Sequence, residues 1–393
     1  MKNALFLPAL ILTLALNLFT PASRAALTCA GVYQKASKQS LMIQQATALG
    51  LHYLSPLPKG IRRERAEQGF IYFDPTGTPI SDPGVIRRIE AIGIPPAHED
   101  VWISTDPMSH LQAIGSDSKG RRQYRYHERW TEVRNSLKFA RMIEFGDALP
   151  QVRSAVARDL LQAGFTQSKI LATVVRLLER TLIRVGNEEY AKDNESYGLT
   201  TMLKSHVQIQ GSKVVFTFRG KSGVSHEKTL DDSSVAAWVT ELLTLPGDNL
   251  FQYLDDKGQP RTVDSNEVNR YIKQTSGREF SAKDFRTWMG TVYAADYLYR
   301  AGEVGDPATR QQKISKAIEF VASKLGNTPA VSRESYVDPR VLALYEAQGP
   351  FFRAFAAALS AKSSGTNATG RNLTEEATLL MLIPLTTTAS DSN

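Results

Sequence analysis

The sequence of 393 residues contains a single cysteine, Cys29, which excludes an internal disulfide and a cysteine-built zinc site. Its six histidines, His52, His98, His110, His127, His206 and His226, stand at no metal-ligand spacing, and no glycine-rich loop of the phosphate-cradling kind is present. Isolated histidines of this sort more often serve structure than chemistry. Glycine and proline stay low, at 26 and 18 residues, which rules out collagen-like and low-complexity chains. Beyond the first twenty residues the apolar runs are short, which excludes a multi-spanning helical membrane protein. What remains is 42% hydrophobic and 22% charged residues, enough for a sizeable core held by packing alone.

Forty-seven basic against forty acidic residues give a net charge of +7, a modest excess whose placement matters more than its size. Between Leu111 and Met142 eight Lys or Arg face only three acids, so most of the excess sits in 32 residues. The basic groups there alternate with Tyr124, Tyr126, His127 and Trp130. Cations interleaved with aromatics suit a phosphate backbone with bases or sugars beside it. A charge run seen alone is more often a solvated helix face.

The first residues read differently. Lys2, an apolar stretch from Ala4 to Phe19 and the small-residue segment Ser23-Arg24-Ala25 have the layout of a secretory signal over residues 1–25. The alternative is a functional start near Met42, which leaves 352 residues without that leader. Both readings stay open at this point.

From about Gly50 to Trp130 short apolar runs are bounded by turn residues. Phe70–Phe73 runs into Asp74-Pro75-Thr76-Gly77, Val101–Ser104 precedes Asp106-Pro107, and Leu111–Ile114 forms a further strand; Val85–Ile92 predicts a short helix. After Trp130 apolar residues recur at three- and four-residue spacing, which predicts amphipathic helices over Glu132–Phe145, Gln151–Ala163, Gln167–Leu182, Ser233–Leu243, Ser265–Gln274, Ala282–Tyr299 and Thr309–Leu325. One β insertion interrupts them, with strands Val207–Gln210 and Val214–Phe218 around Gly211-Ser212 and a third over Val224–Leu230. The fold class is therefore α+β. It comprises a small β-rich amino-terminal domain (47–130), a mainly helical domain with a three-stranded insertion (131–360), and a Ser/Thr-rich tail (361–393) whose apolar Leu379–Leu385 could dock.

Five positions in the helical part deserve joint weighing: Arg184, Lys221 in a glycine-flanked turn, Arg286, Asn327 and Tyr336. Each alone has an ordinary explanation as a helix cap, a solvated lysine or half-buried packing. In this order, however, they sit inside longer motifs. These are Asp117-Ser118-Lys119-Gly120-Arg121-Arg122-Gln123-Tyr124-Arg125-Tyr126; Arg184-Val185-Gly186-Asn187-Glu188-Glu189-Tyr190 with Asn194-Glu195-Ser196-Tyr197-Gly198-Leu199; Phe218-Arg219-Gly220-Lys221-Ser222-Gly223-Val224-Ser225-His226; Lys283-Asp284-Phe285-Arg286-Thr287-Trp288; and Leu325-Gly326-Asn327-Thr328-Pro329-Ala330-Val331-Ser332-Arg333-Glu334-Ser335-Tyr336. This ordered set, over about Gly50 to Phe355, resembles the type IB DNA topoisomerases of the small bacterial and poxvirus-like kind.

The resemblance implies that Tyr336 attacks a phosphodiester and holds one strand as a 3′-phosphotyrosyl ester while the free 5′-hydroxyl end swivels. It implies Arg184 and Arg286 as transition-state stabilisers, Lys221 as general acid and Asn327 as a further donor to the phosphate. Paired guanidinium donors suit the charge that develops on the non-bridging oxygens, and a 5′-alkoxide needs a proton to leave. Some relatives carry histidine where this chain has Asn327. Arg121, Gln123, Tyr124 and Tyr126 are expected to lie against one side of a duplex and Tyr190 to reach a phosphate on the other, in a clamp of two lobes. No metal and no cofactor is expected, because the ester conserves the energy of the cut bond and the arginines replace a divalent ion. The expected partner is double-stranded DNA, bound by a monomer with no obligate protein partner in the cytoplasm.

Two rival readings have definite signatures. A tyrosine recombinase or integrase shares the Arg, Lys, Arg, Tyr logic but commonly has histidine three residues before the second arginine, where this chain has Lys283. A non-catalytic DNA-binding protein would bind in a salt-sensitive way without covalent capture.

Overall fold

The computed structural model describes residues 38–363 and 370–383. The apolar leader expected over 1–25 and Cys29 lie outside them, as does the side chain of Tyr190. The chain divides into two compact units with the boundary between Lys138 and Phe139.

In the first unit, helix α1 (Lys38–Ala48) precedes strands β1 (Ile61–Arg65) and β2 (Phe70–Phe73), helix α2 (Pro83–Ala91), and strands β3 (Glu99–Ile103), β4 (Leu111–Ser116) and β5 (Arg122–Tyr126). The strands form one antiparallel sheet in the order β2-β1-β3-β4-β5. The helix expected over Val85–Ile92 starts two residues earlier, because the Asp82 carboxylate accepts from the Gly84 and Val85 amides and Pro83 occupies the first turn, where a missing N–H costs nothing. Ile61, Tyr72, Ile89, Val101, Ile103 and Ala113 form the core between sheet and helix. The middle of the basic stripe, with Arg122 and Arg125, forms the edge strand β5, and all five residues of that strand are exposed. An exposed edge carrying arginines resists pairing with another sheet.

The boundary between units falls inside α3 (Trp130–Leu160). The second unit continues with α4 (Gln167–Thr181), α5 (Glu188–Asn194), β6 (Val207–Gln210), β7 (Lys213–Arg219), β8 (Ser225–Asp231), α6 (Ser233–Leu243), β9 (Gln252–Leu254), β10 (Pro260–Thr262), α7 (Ser265–Ser276), α8 (Ala282–Ala301), α9 (Pro307–Leu325), α10 (Pro329–Ser335), α11 (Pro339–Glu346), α12 (Gly349–Ser363) and α13 (Leu373–Leu382). Strands β6, β7 and β8 form the expected three-stranded antiparallel sheet, with Val214, Phe216 and Phe218 buried on one face. Helices α4 and α8 run through the core, the latter burying Phe285, Trp288, Ala294, Ala295 and Leu298.

Beside the expected β insertion a second hairpin pairs β9 with β10, and two further segments differ from the sequence expectation. The helices expected over Glu132–Phe145 and Gln151–Ala163 are one helix with Pro150 inside it. Proline there leaves the Gly146 carbonyl without its helical donor, normally a cost of about 3 kcal/mol. Arg371 supplies the missing donor at 3.0 Å. The tail expected over 361–393 contains α13, whose Ala377, Leu379, Met381 and Leu382 are buried in the main core. Its Glu375 is 1% exposed and accepts two bonds from Arg153, at 2.6 and 3.0 Å.

Candidate active site

Arg184 follows the carboxyl end of α4, which Leu182 closes in the left-handed conformation (φ 56°). A bulky residue there is strained and needs outside support. The Leu182 carbonyl accepts from the Arg286 guanidinium, and the Arg184 carbonyl accepts from the Leu199 amide at 2.9 Å. The Gly198-Leu199 segment thus fixes the main chain that carries the guanidinium.

Arg286 projects from α8 and is only 4% exposed. Its second terminal nitrogen donates to the Leu325 carbonyl at 2.8 Å, at the last turn of α9. Four residues further along α8, Gly290 lets the chain at Tyr336 pack directly on the helix: a Cβ there would meet the Tyr336 carbonyl oxygen at 2.6 Å. The Arg286 guanidinium carbon thereby lies 5.4 Å from the centre of the Tyr336 ring.

Asn327 follows Gly326, which ends α9 in the left-handed region. Arg184 donates to its amide oxygen at 2.5 Å. Arginine has no acceptor, so this bond fixes the amide orientation and turns the NH2 group elsewhere. That nitrogen is buried with no partner among the described residues, and so is Nε of Arg286. Buried unpaired donors are costly in an empty site and become useful when an anion accepts from them.

The electrostatics point the same way. Burial, then Arg184, pushes Arg286 down to about 10 against the opposing pull of Tyr336. Burial alone would push the Tyr336 phenol up, but the charge and hydrogen bonding of Arg286, with Arg184 and Lys283, outweigh it and hold the phenol below its ordinary value. The notch between these elements is lined by Arg184, Arg286, His226 and Lys228, with no carboxylate among its described lining residues. Excess fixed positive charge beside an acidified phenol is a setting for nucleophilic attack on an anionic phosphodiester.

The structure thus brings Arg184, Arg286, Asn327 and Tyr336 together. Lys221 is exposed in the one-turn helix Lys221–Gly223 that joins β7 to β8, outside the notch lining. In the first unit, Arg121 pairs with Asp117 at 2.9 Å and Gln123 donates to the same carboxylate at 2.9 Å. Burial pushes Asp117 up, but hydrogen bonds from Arg121, Lys119 and Gln123 bring it down to about 2. Tyr124 and Tyr126 stack with centroids 6.2 Å apart and are 47% and 40% exposed. Among the described residues no group of three or more His, Cys, Asp or Glu is placed to hold a metal ion.

Sequence reasoning missed His226 and Lys228. The available signal was the alternation along β8, which puts both on the face that ends in buried Leu230. Polar side chains on a core-directed face require partners.

Comparison with known proteins supplies the family. Residues 127–348 match the family described as eukaryotic DNA topoisomerase I, catalytic core, and residues 69–117 match the bacterial DNA topoisomerase IB amino-terminal domain. The DNA topoisomerase 1B of Acanthamoeba polyphaga mimivirus is 34% identical over 303 residues, covering 75% of this chain and 90% of the relative. The DNA topoisomerase I of monkeypox virus is 26% identical over 251 residues, covering 62% of this chain and 75% of the relative. A solved XerH site-specific recombinase bound to difH aligns at a TM-score of 0.31 and 13% identity over 50% of this chain and 51% of its own, a likeness too slight to bear on the fold. With its catalytic-core match spanning more than half of its length and its viral relative matched nearly end to end, the chain belongs to the type IB DNA topoisomerases.

Proposed function

We propose that this chain relaxes supercoiled duplex DNA by transient cleavage of one strand. The Tyr336 phenolate oxygen attacks the phosphorus, the bond to the 5′-oxygen breaks, and that oxygen leaves with a proton from Lys221. The 3′-phosphotyrosyl ester persists while the 5′-hydroxyl end swivels, and the same hydroxyl attacks in reverse to reseal the strand. Arg184 and Arg286 hold the non-bridging oxygens as charge develops, and the free NH2 of Asn327 adds a neutral bond. The observation that carries this reading is a phenol held below its ordinary pKa 5.4 Å from the guanidinium of Arg286, whose Nε, like Nδ2 of Asn327, is buried without a partner among the described residues. Phosphodiester energy is conserved in the ester, so no ATP enters the reaction, and Arg184 and Arg286 take the electrostatic role a divalent ion would otherwise fill.

Residues 47–130 serve as a DNA-binding part and residues 131–360 as the catalytic part, closing as a clamp on the duplex. The exposed Tyr124 and Tyr126 and the cations of β5 support a role against one side of it, with Arg121 and Gln123 held in register by Asp117. Tyr190 reaches a phosphate from the catalytic side. The working species is a monomer acting in the cytoplasm, where chromosomal substrate lies; no described helix is long and apolar enough to cross a membrane.

Supercoiled-plasmid relaxation in chelator without nucleotide tests the proposal. Wild type relaxes the plasmid and forms a covalent adduct, whereas Tyr336→Phe forms none and still binds DNA. A strict need for magnesium or ATP, or relaxation by Tyr336→Phe, would sink the mechanism; relaxation only of paired specific sites would favour a recombinase.

A further inference from the structure

Strand β8 carries two side chains that the phosphate chemistry leaves unused. The His226 ring lies against two glycines at once. A Cβ on Gly220 would meet His226 Cδ2 at 2.5 Å and Nε2 at 2.6 Å, and a Cβ on Gly326 would collide with Cε1 of the same ring. These glycines directly precede Lys221 and Asn327. Phe218 flanks the ring on β7, with centroids 5.3 Å apart.

Two residues along the same face, Lys228 Nζ donates to the Lys324 carbonyl at 2.6 Å and approaches that of Ser323 at 3.4 Å. The next carbonyl, that of Leu325, accepts from Arg286. Successive carbonyls in the final turn of α9 are therefore held by cations from β8 and α8, where the helix dipole favours positive charge. Burial, then Arg286, Lys324 and Arg184, pushes Lys228 down to about 8. An ammonium beside three other cations is unfavourable by itself, and its bonds to the helix end are what the structure gains by keeping it.

We propose that His226 and Lys228 are positioning residues that brace the Lys221 turn against the Asn327 loop, so that the proton donor reaches the scissile bond that the phosphate-binding groups already hold. The inference rests on the assignment of Lys221 as proton donor, and it concerns how an exposed lysine on a short turn is delivered to a buried site.

The test uses the full chain and duplex oligonucleotides bearing a cleavage site first mapped on plasmid DNA. Single-turnover covalent capture is measured on two substrates, one with the ordinary oxygen at the 5′ side of the cleaved bond and one with sulfur there. A thiol ionises near ~8.5, so a sulfur leaving group departs without help from an acid. Lys228→Met is expected to slow capture of the oxygen substrate about tenfold or more while leaving the sulfur substrate near wild type, because only the proton-transfer part is misaligned. Lys228→Arg, which can donate to the same carbonyls, stays near wild type on both. Gly220→Ala, which crowds His226 and leaves Lys228 intact, gives the same oxygen-specific loss and decides the matter even if Lys228→Met does not fold. Equal losses on both substrates, or no loss on either, overturn the brace. Absence of any adduct with wild type, or its presence with Tyr336→Phe, would instead overturn the reading of the reaction.

Discussion

On β5 the guanidiniums of Arg122 and Arg125 stand in solvent beside two exposed tyrosines, whereas in the second unit Arg286 is 4% exposed and spends two nitrogens on main-chain carbonyls. Both regions are cationic, yet they answer to different physics. Exposed cations keep their hydration, cost little and are screened by salt, so they supply affinity and encounter rate. Buried cations have lost hydration, need fixed partners and lie ready for charge that develops only during reaction, so they supply rate. The displaced pKa values of Arg286, Lys228 and Tyr336 mark the second kind of surface.

That contrast can be broken by substitution. The largest effect falls on Arg184→Ala, which removes one guanidinium from the proposed phosphate site and releases the Asn327 amide from its fixed orientation. Single-turnover cleavage at saturating DNA drops by about 10²–10³-fold with equilibrium binding little changed. Loss of binding with unchanged cleavage would erase the distinction. An intermediate effect follows the double change Arg122→Ala with Arg125→Ala. Affinity falls and the slope of log K against log salt becomes shallower by about 2, while cleavage at saturation keeps its wild-type rate. The smallest effect is on pH dependence. With the phenolate of Tyr336 proposed as the attacking form, cleavage is expected to rise with pH, with a midpoint below the ~10 of an ordinary tyrosine. Lys283→Gln removes one of the charges that lower it, so the midpoint moves upward in a pH–rate profile. A midpoint unchanged by Lys283→Gln would show that Lys283 does not reach the phenol.

Much of this contrast was legible in the residues themselves. The edge strand announced itself by cations alternating with aromatics, and the amphipathic helices by their period, with α6 spanning Ser233–Leu243 as its apolar spacing predicts. The site residues became legible through the ordered motifs. Other features depend on contacts that sequence spacing cannot carry. Pro150 reads as a break, and only a donor 221 positions later, Arg371, makes continuity affordable. His226 and Lys228 gain their meaning from Gly326 and the end of α9, elements distant along the chain, together with Gly220 across their own hairpin. Likewise α13 showed only as an apolar run in a Ser/Thr-rich tail, because its partners Arg153 and Arg340 lie far upstream.

The placement of α13 bears on timing during synthesis. Arg340 donates at once to the Leu382 carbonyl, to the Phe139 carbonyl and to buried Asp338, two residues beyond the nucleophile. The Asp338 amide in turn bonds to Thr291, whose hydroxyl also donates to the Tyr336 carbonyl. A nascent chain folds as it emerges, from its amino-terminal end onward. The segment that holds Arg340 from the far side, α13, is therefore the last of these parts to emerge. A chain ending before residue 373 would leave the main core without Ala377, Leu379, Met381 and Leu382 and would take from Arg340 the Leu382 carbonyl, one of the three groups it ties together.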